Sequence, residues 1–149
     1  MTSLKSRLIL AASLWIALGT IGAGLVLSAI FKHHVTTQFY DELHVHLDEL
    51  QRLAEFHADG SLHLQRNLSD PRYDVPLSGF YWEVQKDGKV LARSQSLEGP
   101  ALSMPPDAPN DIGVHTHLIK GPTGPLIAME KAVWTDPGAT PERFIIGTD

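Results

Sequence analysis

The sequence has no cysteine among its 149 residues. It therefore holds no disulfide, no thiolate metal site and no cysteine nucleophile. Basic residues are scarce: 12 Lys and Arg stand against 17 Asp and Glu, for a formal charge of −5. A chain so balanced lacks the basic face that nucleic acid requires, and no nucleic-acid partner is expected. There is no G-x-S-x-G, P-loop, H-E-x-x-H or Rossmann fingerprint, so no active site is expected either. Repeats and low-complexity tracts are also missing. The 43% apolar content is too high for a disordered chain. The length suits one domain with an appendage and is too short for a complete multidomain enzyme.

One absence is local. From Leu8 to Phe31 there are 24 residues without a charge. As a helix rising about 1.5 Å per residue this run spans roughly 36 Å, enough for a hydrocarbon core of about 30 Å. Lys5 and Arg7 precede it, which favours residues 1–7 as cytoplasmic, 8–31 as a transmembrane helix and 32–149 as the outer part. Gly22-Ala23-Gly24 resembles a signal-peptide cleavage site, but the apolar run continues through Phe31. That exceeds the roughly 7–15 residues of a signal-peptide core, and an uncleaved anchor is expected. Thr20, Gly24 and Ser28 recur every four residues, a spacing that lets two membrane helices approach closely, so they are candidate dimer contacts. Two of the basic residues and none of the acidic ones lie before Lys32, which leaves residues 32–149 at −7.

Beyond the anchor, Val35, Phe39, Leu43, Leu47, Leu50 and Ala54 mark one face of a helix near the coiled-coil period. The spacing predicts a helix over 33–58, closed by Asp59-Gly60. Such a rod would couple the outer part to the bilayer, with Val35, Phe39, Leu43 and Leu47 as relay residues.

Strand patterns follow over 61–147. Ser61–Leu68 alternates, and Phe80–Gln85 places Phe80, Trp82 and Val84 on one face. Asp87-Gly88 signals a two-residue hairpin into Val90–Ser94, with Val84 expected opposite Leu91 and Trp82 opposite Arg93. Residues 97–110 carry four prolines and read as loop. Ile112–Ile119 and Leu126–Trp134 are strands joined by a Gly/Pro turn, and Arg143–Gly147 is the last. The order predicts an α+β domain: a long helix packed on an antiparallel sheet of about five to six strands.

Eight histidines are present. His115 and His117 lie two apart on a strand, share a face and form a candidate half-site for Zn, Cu or Ni, with no third ligand fixed by spacing. His44 and His46 lie two apart on a helix and diverge by about 200°. Together with His33 and His34 they are candidates for titration near the membrane. The carboxylates, Asp70, Asp74, Asp107, Asp111, Asp136 and Glu142 among them, are scattered.

Four segments in order carry a family resemblance. They are Leu4–Leu8 with Ala11–Trp15; Gln38–Leu43 with Leu47–Leu50; Leu68-Ser69-Asp70-Pro71-Arg72-Tyr73; and Ser78-Gly79-Phe80-Tyr81-Trp82-Glu83-Val84. They resemble the N-terminal transmembrane and periplasmic sensor region of proteobacterial two-component sensor histidine kinases, with a PhoQ-like, PAS-like domain. The resemblance implies a bacterial inner-membrane protein, a homodimer, a periplasmic ligand and a response-regulator partner. It also implies a second membrane helix, a HAMP linker and a kinase core, none of them within this chain. ATP and Mg2+ belong to that core, and no cofactor is expected here. Magnesium-sensing members carry a dense acidic cluster that this sequence lacks. Two other classes fit the same residues: a stand-alone anchored adaptor or assembly protein, and an anchored metal-dependent enzyme using His115, His117 and a carboxylate.

Overall fold

The computed structural model describes residues 4–106, 112–134 and 140–149, without the side chains of residues 33 and 35–37. Asp107, Asp111 and Asp136, and the side chains of His33 and Val35, thus lie outside the described residues. One α-helix, α1, covers Leu4–Leu53. The chain divides into two compact units, Met1–Asp41 and Glu42–Asp149.

In the first unit Leu4–Lys32 is long and apolar enough to cross a membrane, and none of it is buried. The Thr20 hydroxyl donates to the Ile16 carbonyl at 2.8 Å, a local bond that satisfies a polar group within the helix itself. Thr20, Gly24 and Ser28 are all exposed, and the flank of Gly24 is open. Phe39 is half-buried and meets the Tyr40 ring edge-on.

The second unit is α+β. The end of α1 buries Leu43, Leu47 and Leu50 of the stripe that the apolar spacing marks, and Leu53 with them, while Ala54 of that stripe is half-buried. The helix stops at Leu53, five residues before the expected Ala58. Ala54–Phe56 is instead a strand, β1, paired antiparallel with β2, Leu62–Leu64. The physical reason is a competing partner: the Gln65 N–H donates to the Leu53 carbonyl at 3.0 Å and draws the chain into pairing. The turn between them is held by Asp59, whose Oδ1 accepts from the Ser61 N–H and hydroxyl, and by Gly60 at φ 82°.

The main sheet has five strands: β3 Phe80–Lys86, β4 Lys89–Arg93, β5 Val114–Lys120, β6 Pro125–Val133 and β7 Glu142–Thr148. All neighbours are antiparallel in the order β4-β3-β7-β6-β5, so the last strand lies in the middle. The Asp87-Gly88 hairpin forms as expected, with both residues at positive φ. Its register differs from the expected one. Val84 pairs with Ala92 and Glu83 with Arg93, because a bulge leaves Leu91 between Ala92 and Val90, the partner of Gln85.

One sheet face carries Phe80, Trp82, Val84, Phe144 and Ile146. Phe56 of β1 meets Phe144 edge-on, and Tyr73 meets Phe80 in the same way, so β1 and the residues around Tyr73 lie over this face. On the other face Tyr81, Leu126, Ala128 and Ile145 pack under Leu97 and Leu102 of the proline-rich loop. That loop is strapped down by polar bonds. Glu83, fully buried, accepts from the Leu102 N–H at 3.1 Å, and Gln85 donates to the Leu102 carbonyl at 2.8 Å.

Candidate functional site

A dense polar cluster lies where α1 meets residues 66–74. Glu42, His46 and Glu49 are spaced i, i+4 and i+7, so they form a polar stripe beside the buried leucines. A short 3-10 helix, Pro71–Asp74, presents the opposing groups. Its start is fixed by Pro71 at the first position and by Asp70, whose Oδ1 accepts the Arg72 N–H at 2.9 Å.

Arg72 is the hub. Its guanidinium forks onto Asp70, with Nε at 2.7 Å from Oδ2 and a further bond from the terminal nitrogen. The same terminal nitrogen reaches Glu42 Oε1 on α1 at 2.6 Å. The guanidinium carbon also sits 3.6 Å over the Phe80 ring, a cation–π contact. The Asp70 fork foremost, and Glu42 after it, raise the Arg72 pKa above its ordinary value, while the Arg72 bonds hold the Asp70 carboxyl below its own.

A second tie joins Glu49 to Ser69. The Ser69 N–H and hydroxyl both donate to Glu49 Oε1, at 3.1 and 2.5 Å, and Arg66 lies 3.0 Å from the same oxygen. Burial pushes the Glu49 carboxyl up, but Ser69 and Arg66 outweigh it and leave the pKa lowered.

His46 stands between the two ties. Its Nε2 is 3.7 Å from Asp70 and 3.9 Å from Glu42, and its Nδ1 is 3.8 Å from Glu49. Tyr73, 1% exposed, meets the His46 ring edge-on, and its hydroxyl has no hydrogen-bond partner. Burial and the nearby Asp70 charge raise the Tyr73 pKa, which keeps the phenol neutral. An open cleft of about 340 Å³ reaches His46, Glu49, Arg66 and Ser69, with Val45, Arg52 and Leu53 completing its wall.

Among the described residues, Glu42, His46 and Asp70 are the one set of three ligand-type side chains close enough together to surround an ion. The sequence pair His115 and His117 does share a face, with ring centroids 6.4 Å apart. A buried carboxylate accompanies it: Glu130 lies across from His115 in the register, 2.9 Å from His117 Nε2. Its other oxygen is 2.6 Å from Arg143, so this carboxylate is already neutralised. Of the expected relay residues, Leu43 and Leu47 lie in the core of the second unit, and Phe39 belongs to the first.

In the sequence His46 and the 68–73 segment stand apart, with no local pattern to join them. The signal was present in the i, i+4, i+7 stripe of Glu42, His46 and Glu49. The Asp70-Pro71-Arg72 turn that meets it is remote in sequence. No protein-family model matches this chain, and neither a curated protein nor a solved structure does.

Proposed function

We propose that this chain is the signal-input region of a membrane-bound two-component histidine kinase of the bacterial inner membrane, with residues 32–149 in the periplasm. One observation carries the reading. The apolar span Leu4–Lys32 and the core residues Leu43, Leu47 and Leu50 belong to the same helix, Leu4–Leu53. A change that repositions those leucines acts on an element that also enters the bilayer. The long first helix and the antiparallel sheet with its last strand central support a PAS-like reading of the second unit.

In this reading the protein is a homodimer whose helices hold two arrangements, and a periplasmic stimulus favours one of them. The energy available is the differential affinity of the stimulus for the two states. Thr20, Gly24 and Ser28 supply the dimer contact in the membrane. Phosphoryl transfer, ATP, Mg2+ and the response regulator belong to a kinase core carried elsewhere in the protein.

Sequencing the gene past the Asp149 codon tests this reading. The expected result is a second apolar run of about 20 residues, followed by a histidine-bearing helical segment and an ATP-binding region. A stop codon there, or a continuation without a kinase core, would overturn it.

A further inference from the structure

The two nitrogens of His46 face carboxylates on opposite sides. Nε2 looks at Asp70 and Glu42, and Nδ1 looks at Glu49, at 3.7–3.9 Å. Nδ1 is buried and makes no hydrogen bond. A neutral imidazole carries one N–H, so one lone pair always points at a carboxylate. An imidazolium carries two and satisfies both sides.

The charges around the ring agree. From α1 come Glu42 and Glu49, with Arg52 on the cleft wall; from the 66–74 segment come Arg66, Asp70, Arg72 and the neutral Tyr73. The directly paired groups are three carboxylates and two guanidiniums, one negative charge in excess, and a proton on His46 cancels it. A divalent metal fits less well. It would need Glu42 Oε1 and Asp70 Oδ2, which Arg72 already holds, and it would leave Glu49 facing the second nitrogen.

We propose that His46 is a proton-binding site, and that its protonation fastens α1 to residues 66–74. On protonation the imidazole closes on Glu49 and Asp70 from both sides and draws the Ser69 and Arg72 ties tighter. On deprotonation the Ser69–Glu49 and Arg72–Glu42 ties remain, and they hold the turn to the helix stripe less tightly.

The test uses the full chain in lipid nanodiscs, followed by amide hydrogen exchange corrected for intrinsic rates, from about pH 8 to about pH 5. Acidification is expected to slow exchange over residues 66–74 by about threefold or more, and His46→Gln should abolish the difference. An unchanged pH response in His46→Gln would overturn the proposal. So would zinc ions alone giving the same protection at about pH 8 in the wild type but not in the variant, which would make the site metallic. A measurement on the wild type alone guards against misfolding of the variant. In nitrogen-15 spectra the Ser69 amide and Arg72 Nε signals should follow the same titration curve as the His46 ring. Signals that stay flat while the ring titrates would overturn the coupling.

Discussion

Ser69 delivers both its backbone N–H and its hydroxyl to a single oxygen of Glu49, a residue 20 positions earlier and on another element. The pair closes a loop from the helix through the β1–β2 hairpin and back. Two donors on one buried carboxylate oxygen leave little freedom at that point, so the tie fixes where the 66–74 segment sits on the helix.

Ser69→Ala keeps the backbone donor and loses the hydroxyl. It should destabilise the folded second unit by about 1–2 kcal/mol. Glu49→Ala leaves two donors and Arg66 without their acceptor and should cost more. Urea unfolding of the full chain in detergent, followed by tryptophan fluorescence, ranks the two, and equal costs would contradict the convergence on Glu49.

Glu49 and Asp70 are both held below their ordinary carboxylate values. Lowered folded values mean that their contribution is complete above the unfolded value of roughly 4 and is lost as pH falls through the folded values. Stability should therefore drop below about pH 4, and the Asp70→Asn variant should show a shallower acid limb. A limb unchanged in that variant would remove Asp70 from the account.

Arg72→Lys keeps a charge but cannot fork onto Asp70, reach Glu42 and cover Phe80 together. The guanidinium is 43% exposed, so solvent screening limits the loss to about 1–2 kcal/mol. Chemical denaturation of the full-length variant measures it, and a Lys variant as stable as the wild type would show that the fork contributes nothing.

Leu47 is fully buried on the helix face that the apolar spacing marks. Leu47→Ala should cost about 2–5 kcal/mol. Phe39→Asp lies in the other unit and should leave the thermal unfolding of the second unit nearly unchanged. In a full-length kinase it should alter output, and an unaltered output would count against the helix relay.

Gly147 lies in the central strand with almost no room beside it. A Cβ there would stand 2.8 Å from the Ile127 carbonyl oxygen and 3.1 Å from Leu126. Gly147→Val should therefore destabilise the sheet by about 1–3 kcal/mol or more, read as a lower Tm by circular dichroism. A neutral result would mean that the β6–β7 spacing adjusts freely.

Much of this fold was legible in the sequence where local signals and tertiary pairing agree. Asp87-Gly88 dictated its hairpin because both residues tolerate positive φ, and the leucine stripe dictated the buried face of α1. Leu91 was not legible as a bulge, since the strand pattern runs through it without interruption. The helix end is not legible because Ala54-Glu55-Phe56 can continue a helix, and it is Gln65, brought round by the Asp59-Gly60 turn, that claims the Leu53 carbonyl. The site was half legible. The His46 stripe has helical spacing, but Asp70 and Arg72 reach it through a turn whose landing point no local pattern encodes.

The place of β7 bears on how the molecule assembles. It pairs with β3 on one side and β6 on the other, and among the described residues no other strand joins the two hairpins. During synthesis β3–β4 and β5–β6 therefore wait as separate ribbons with open edges until Glu142–Thr148 is available to both. Closure needs contacts between residues as distant as Phe80 and Thr148, which places this sheet among the slower-folding topologies. A chaperone that shields unpaired edges would act in that interval, and a lesion in β7 would be felt by both ribbons at once.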